Sequence, residues 1–239
     1  MGESPSGLTF FTDALWLSPY TYTVLGAIRE KGIPVAIEEV SFERGRTQTA
    51  SFQGRTFTDL IPALVDSGDA AKAATGEARG LALSESLAIL EYLEEKFPAP
   101  KYRSIYPASI EARAQARMLL SWYRCGFQAL RNERSTETVF YPPASAEDRL
   151  SVKAPLSAAA REEVADWVRC LRSLLKPGAL FLFGEWSIAD SETALMLHRM
   201  IVHGDPVDAD LVRYAEGIWA RASVIEFVKH SRPAYQSYY

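Results

Sequence analysis

The feature that most constrains the fold is the punctuation between Leu8 and Phe42. A short β-prone run, Leu8–Thr12, leads to Ser18 and Pro19, and later to Gly32. Ser18 suits a helix N-cap. Pro19 suits the first helical position, where its missing N–H costs nothing, and Gly32 suits the residue just past a helix end. Between them Val24, Leu25 and Ile28 recur at helical spacing, and Pro34–Phe42 is again β-prone. Strand, helix, strand in this order predicts a βαβ unit with parallel strands and a right-handed crossover. A polar stretch, Glu43–Asp59, has room for one short helix. Two apolar runs follow, Ile61–Asp66 and Leu81–Ser84, which can pair as a hairpin. A helix then spans Ser86–Phe97, with Ile89, Leu93 and Phe97 on one face.

Beyond this α/β region the period changes. Pro98–Pro107 contains three prolines and is read as a linker, and no strand pattern occurs after it. Val164, Trp167, Val168, Leu171, Leu174 and Leu175 follow helical spacing. Ala194–Leu197 with Met200–Val202 is apolar nearly all round, as in a helix buried on every face. Leu211, Tyr214, Ala215, Ile218 and Trp219 mark another helix. Residues 1–97 are thus expected to form one α/β domain and residues 108–239 an all-α one. Ser135–Leu156, with Pro142, Pro143 and Pro155, shows no periodicity and is expected to be a long loop.

Composition removes several functions. The formal net charge is −4 and no Lys/Arg cluster forms a basic stripe, which argues against nucleic acid as a partner. The two cysteines, Cys125 and Cys170, lack metal-ligand spacing, as do the three histidines, so no metal is expected. Both cysteines fall in helical patterns and are expected to be buried, inert thiols. No apolar run reaches the ~18–20 residues of a membrane span. The N-terminus resembles no secretory signal, and a cytoplasmic protein is expected.

Three local features carry chemistry. Ile61-Pro62 opens an apolar strand; either a trans proline begins an edge strand there, or a cis bond turns the Ile61 amide and carbonyl outward for a peptide-like ligand. Ser84-Glu85-Ser86 leads straight into a helix, whose first amides favour a carboxylate. Ser86 can add a hydroxyl and Glu85 can hold an ammonium group, unless a serine there is only an N-cap. Ser18, the third, is either an N-cap or a donor to a ligand thiolate. The energetics allow the second role. Lowering a thiol from its usual ~8.5 by about two pH units needs ~2.7 kcal/mol. A hydrogen bond to a charged group supplies ~1.5–3 kcal/mol and a helix N-terminus up to ~1–2 kcal/mol.

Taken in order, SPY before the first helix, IPAL, and LSESLAILEYLEEKF resemble the cytosolic glutathione S-transferase family, in its bacterial serine-type branch. WSIAD resembles the family's buried capping box, with Ser187 as the cap and Asp190 reaching back to it. The family's apolar N4 residue is replaced by Ser191, which weakens the hydrophobic staple with Trp186. The resemblance implies a thioredoxin-like N-terminal domain, an all-helical C-terminal domain, a cis bond at Ile61-Pro62 and a homodimer. Carried over by position, Ser18 would hydrogen-bond the glutathione sulfur, with Tyr20 and Tyr22 as competing phenols. Ile61 would pair with the cysteinyl backbone, Pro62 supporting it. Glu85 and Ser86 would hold the γ-glutamyl group, and Gln53 would reach the glycyl end. The partners implied are glutathione, as co-substrate, and a small electrophile, peroxide or disulfide. Trp16, Leu17, Tyr123, Phe127 and Arg131 are candidates for the electrophile pocket or for ordinary packing.

Overall fold

A computed structural model describes residues 7–43, 46–47, 52, 56–68, 80–141 and 154–233. The chain forms two compact units, Met1–Ser104 with Lys229–Tyr239, and Ile105–Val228.

The first unit contains β1 (Leu8–Asp13), α1 (Pro19–Lys31) and β2 (Ala36–Val40). A small antiparallel pair follows, β3 (Phe42–Glu43) and β4 (Arg46–Thr47), then β5 (Ala63–Asp66), β6 (Leu81–Ser84) and α2 (Ser86–Lys96). The main sheet has the order β2-β1-β5-β6. β1 runs parallel to β2 and antiparallel to β5, and β5 runs antiparallel to β6. β1 lies between β2 and β5, and all of it but the half-buried Thr9 is buried, Thr12 and Asp13 included. The helix punctuation acts as its chemistry dictates. The Ser18 hydroxyl accepts from the Thr21 amide, Pro19 occupies the first turn, and Gly32 closes α1 at φ 64°. The polar stretch after β2 begins with the β3–β4 ribbon rather than a helix, and most of its remainder lies outside the described residues.

Two polar clusters tie α2 to this layer. The buried Lys31 ammonium donates to the Phe97 and Arg103 carbonyls, 2.9 Å each, and pairs with Glu94 at 2.6 Å. Asp66, at the end of β5, accepts from Lys96 and Tyr92 of α2 and from the Gly68 amide. Burial pushes the Asp66 carboxyl up, but these donors outweigh it and hold its pKa below the usual carboxylate value.

The second unit is helical: α3 (Ile110–Cys125), α4 (Gln128–Glu133), α5 (Thr136–Phe140), α6 (Ala158–Leu174), α7 (Ile188–Ile201), α8 (Ala209–Trp219) and α9 (Ala222–Val228). α5 corrects the expected featureless loop: Ser135 caps it, and Val139 and Phe140 are buried. Every residue of α7 from Ile188 to Met200 is buried, the expected apolar run Ala194–Leu197 among them, whereas Ile201 and Val202 are partly exposed. Its polar residues are partnered. Glu192 pairs with Arg124 at 2.6 Å, and Thr193 bonds the Tyr123 hydroxyl at 2.7 Å. Asp190 closes the capping box with Ser187. At the position where an apolar staple residue was missing, the Ser191 hydroxyl accepts from the Trp186 indole at 3.3 Å, replacing a packing contact with a hydrogen bond. Cys125 is exposed and Cys170 partly so, contrary to the buried thiols expected; both lie on the outward sides of otherwise well-patterned helices.

Candidate functional site

Sheet register brings the three chemical features to one edge. Phe11 lies opposite Ala63, and Ala63 opposite Ser84. Continued past the last paired residues, this register sets Ile61 level with Asp13 on one side and with Ser86 on the other. The C-terminal ends of β1 and β6 therefore flank the entrance to β5. Two helices begin at that same edge, α2 directly after β6 and α1 after the short turn that follows β1. Such a sheet edge, with helix N-termini aimed at it, favours anionic ligands.

Ser18 is half-buried at the mouth of α1. Its Oγ accepts from the Thr21 amide at 3.2 Å, which uses a lone pair and not the hydroxyl proton. Among the described residues that proton is donated to no protein acceptor. Of the competing phenols, Tyr22 is buried in the core, whereas Tyr20 is half-buried.

An acidic residue that the sequence reading overlooked organises the turn before Ser18. Asp13, at the end of β1, is 1% exposed. Its carboxylate accepts from the Leu17 amide at 2.7 Å and the Ser18 amide at 3.1 Å. Burial pushes its pKa up, against the pull of those amides and of the Arg232 charge. A lone Asp four to five residues before a helix cap is the sequence signal that marks it, since its carboxylate can reach the amides of such a turn.

Ile61 precedes β5, and the Ile61-Pro62 bond is cis; Ala99-Pro100 is cis as well. The Ile61 side chain packs on the cluster of Phe11, Val40, Phe52 and Ala63, and Pro62 is buried. Lying beyond both ladders, the Ile61 peptide groups make no hydrogen bond among the described residues. Glu85 stands at the N-cap of α2 with φ 70°, and its own side chain makes no capping hydrogen bond. Its exposed carboxylate has no partner among the described residues. Ser86, the first residue of α2, is buried. Nearby, Thr58 donates to the Ser84 hydroxyl at 2.8 Å. Gln53 lies outside the described residues.

The residues considered for an electrophile pocket are engaged in packing. Trp16 stacks on His230 with ring centroids 3.6 Å apart, and Leu17 is buried. The Tyr123 hydroxyl accepts from the Trp167 indole at 3.0 Å. Phe127 meets Trp167 edge-on at 5.8 Å, and Arg131 donates to the Arg124 carbonyl at 2.8 Å. Among the described residues no cluster of His, Cys, Asp and Glu is suited to a metal ion, and no helix is long and apolar enough to cross a membrane.

Known proteins supply the comparison. Residues 17–96 match the model of the glutathione S-transferase N-terminal domain, and residues 109–232 that of the C-terminal domain. A crystal structure of a glutathione transferase homolog from Burkholderia GL BGR1, with bound glutathione, is similar at 31% identity and a TM-score of 0.69, covering 93% of this chain and 96% of that one. A stringent starvation protein A homolog of Histophilus somni is 25% identical over 230 residues, 95% of this chain and 92% of that protein. A glutathione S-transferase theta-3 of Mus musculus is 27% identical over 114 residues, 48% of this chain and 42% of its own length.

Proposed function

Because the chain belongs to the glutathione S-transferase family, we propose that it is a glutathione transferase that binds glutathione at the edge where α1 and α2 begin and uses Ser18 to hold its sulfur as a thiolate. The observation that carries this reading is the Ser18 hydroxyl, whose proton has no protein acceptor among the described residues although its oxygen is fixed by the Thr21 amide. The γ-glutamyl end carries an ammonium and a carboxylate. Glu85 provides a counter-charge for the first; Ser86 and the first amides of α2 receive the second. The extended cysteinyl backbone pairs with the peptide groups of Ile61, next to Pro62, and the resemblance assigns Gln53 to the glycyl end.

In the reaction the sulfur lone pair forms a bond to an electrophilic carbon while the leaving group departs with its electron pair. The protein contributes proximity and charge stabilisation, and the tripeptide is the nucleophile. The same thiolate can attack a peroxide oxygen or a disulfide sulfur, so peroxidase or disulfide-reductase chemistry is the neighbouring alternative. The resemblance adds a cytoplasmic homodimer to this reading.

Ser18→Ala tests it. Loss of a hydrogen bond to a charged sulfur, ~1.5–3 kcal/mol, raises the pKa of the bound thiol by about one to two units. Glutathione affinity is retained and turnover of an aryl halide near neutral pH falls about tenfold. A bound thiol that titrates identically in the variant removes Ser18 from the mechanism.

One observation favours a second reading, a non-catalytic member: the likeness over nearly the whole chain to a protein named for stringent starvation rather than for a transfer reaction. Failure of the protein to be retained on immobilised glutathione would select it.

A further inference from the structure

We propose that Arg232 is a positioning residue for Ser18, acting from the C-terminal segment by gripping the peptide bond between Trp16 and Leu17. The proposal rests on the reading that Ser18 meets the glutathione sulfur.

The segment from Lys229 groups with the first unit, although the preceding helices belong to the second. There the Arg232 guanidinium donates to the Trp16 carbonyl through Nε at 3.3 Å and Nη2 at 3.1 Å. Its Nη1 donates back to the His230 carbonyl at 3.1 Å, which fixes the fork in the segment that carries it. The His230 ring lies flat on the Trp16 indole, 12° from parallel. The same indole donates to Glu39 of β2 at 2.9 Å, and the His230 Nε2 stands 3.8 Å from that carboxylate oxygen.

The consequence follows from which peptide is held. The carbonyl of Trp16 and the amide of Leu17 are two ends of one rigid plane. Arg232 takes the oxygen, and Asp13 takes the N–H at 2.7 Å. A cation and an anion thus hold opposite ends of one peptide, immediately before Ser18. Trp16 itself has φ 51°, a left-handed conformation uncommon for a bulky side chain. Such a turn has a competing arrangement in which this plane is rotated, which would redirect the amide of Leu17 and carry the Ser18 hydroxyl with it. Asp13 alone constrains one end; Arg232 supplies the second constraint. Nothing in local sequence connects the two, since Arg232 lies 216 positions from Trp16.

The test is a double-mutant cycle on the full-length protein, with Arg232→Ala and Ser18→Ala made singly and together. Turnover with glutathione and an aryl halide is measured with the pH at which the bound thiol ionises, and melting checks that each variant folds. Displacing a catalytic group by even ~1 Å can cost up to ~100-fold, and Arg232→Ala is expected to lower kcat about tenfold. It should raise the bound-thiol pKa and change the KM for glutathione less than about twofold, since the ligand's ends are held elsewhere. In the Ser18→Ala background it should do almost nothing further. Arg232→Lys, which keeps a charge but loses the fork, should fall between; it carries the cycle if the alanine variant does not fold. Equal losses in both backgrounds, or an unshifted thiol in Arg232→Ala, overturn the proposal while leaving Ser18 in place. An unshifted thiol in Ser18→Ala alone overturns the functional reading, and this inference with it.

Discussion

Replacing Asp190 with alanine should destabilise the helical unit more than almost any other single change. The side chain is fully buried and serves four donors. Its Oδ2 takes the Ser187 amide at 2.8 Å and the Ser187 hydroxyl at 3.0 Å, and its Oδ1 takes the Leu182 amide and the Tyr214 hydroxyl, each at 2.8 Å. Truncation strands the two amides and the phenol away from solvent, at about 1–3 kcal/mol for each donor that finds no substitute. Loss of the reciprocal cap of α7 is part of that cost, since caps are worth about 0.5–2 kcal/mol. Two effects oppose it. The vacated space can hold a water that satisfies some donors, and the variant no longer buries a carboxyl whose pKa burial already raises. The net expectation is a loss of about 3–5 kcal/mol, the range of changes that break a buried network. Urea unfolding followed by circular dichroism measures it, with the midpoint moving at constant slope. Asp190→Asn should recover only part of this, because its remaining oxygen still accepts from one pair of donors while its NH2 faces the other pair. A loss under about 1 kcal/mol in the alanine variant would refute the reasoning and show that these donors are readily satisfied by other groups.

Lys31→Met keeps the apolar stem but leaves the Phe97 and Arg103 carbonyls without their donor and Glu94 without its cation. A loss of about 2–4 kcal/mol is expected, measurable as a lower urea midpoint. Asp66 predicts a pH effect whose sign follows from its depressed folded pKa. Its contribution is present above the unfolded carboxylate value of about 3.9 and is lost as pH falls from there through the lower folded value. Melting temperatures between neutral and acidic pH should therefore drop less steeply in Asp66→Asn than in the parent protein.

How much was legible in the sequence depended on range. Ser18, Pro19 and Gly32 bound α1 because each acts on its own backbone, so local chemistry decides the helix ends. The β5–β6 pairing was readable from two apolar runs, and the capping box from WSIAD. α5 was not, because a five-residue helix is too short to display a period. Exposure of Cys125 was missed because the helix was recognised without resolving on which side of it the residue falls. Asp13 carried a local signal that went unused. Arg232 carried none, since its partner is reached only by the folded chain returning to its first unit. The candidate site was therefore visible as the residues proposed to meet a ligand and invisible as the residues that hold them.

The backbone of Glu85 has a consequence for any attempt to improve this protein. At φ 70° and ψ 110° it occupies a region where a side chain costs about 1–3 kcal/mol and glycine costs little. Glycine at this position would strengthen the fold while deleting the carboxylate that the proposed ligand's ammonium requires. Selection for thermal robustness alone would draw position 85 toward glycine, and selection for glutathione use would keep the acid. A library screened on both criteria would reveal which of the two has shaped this residue.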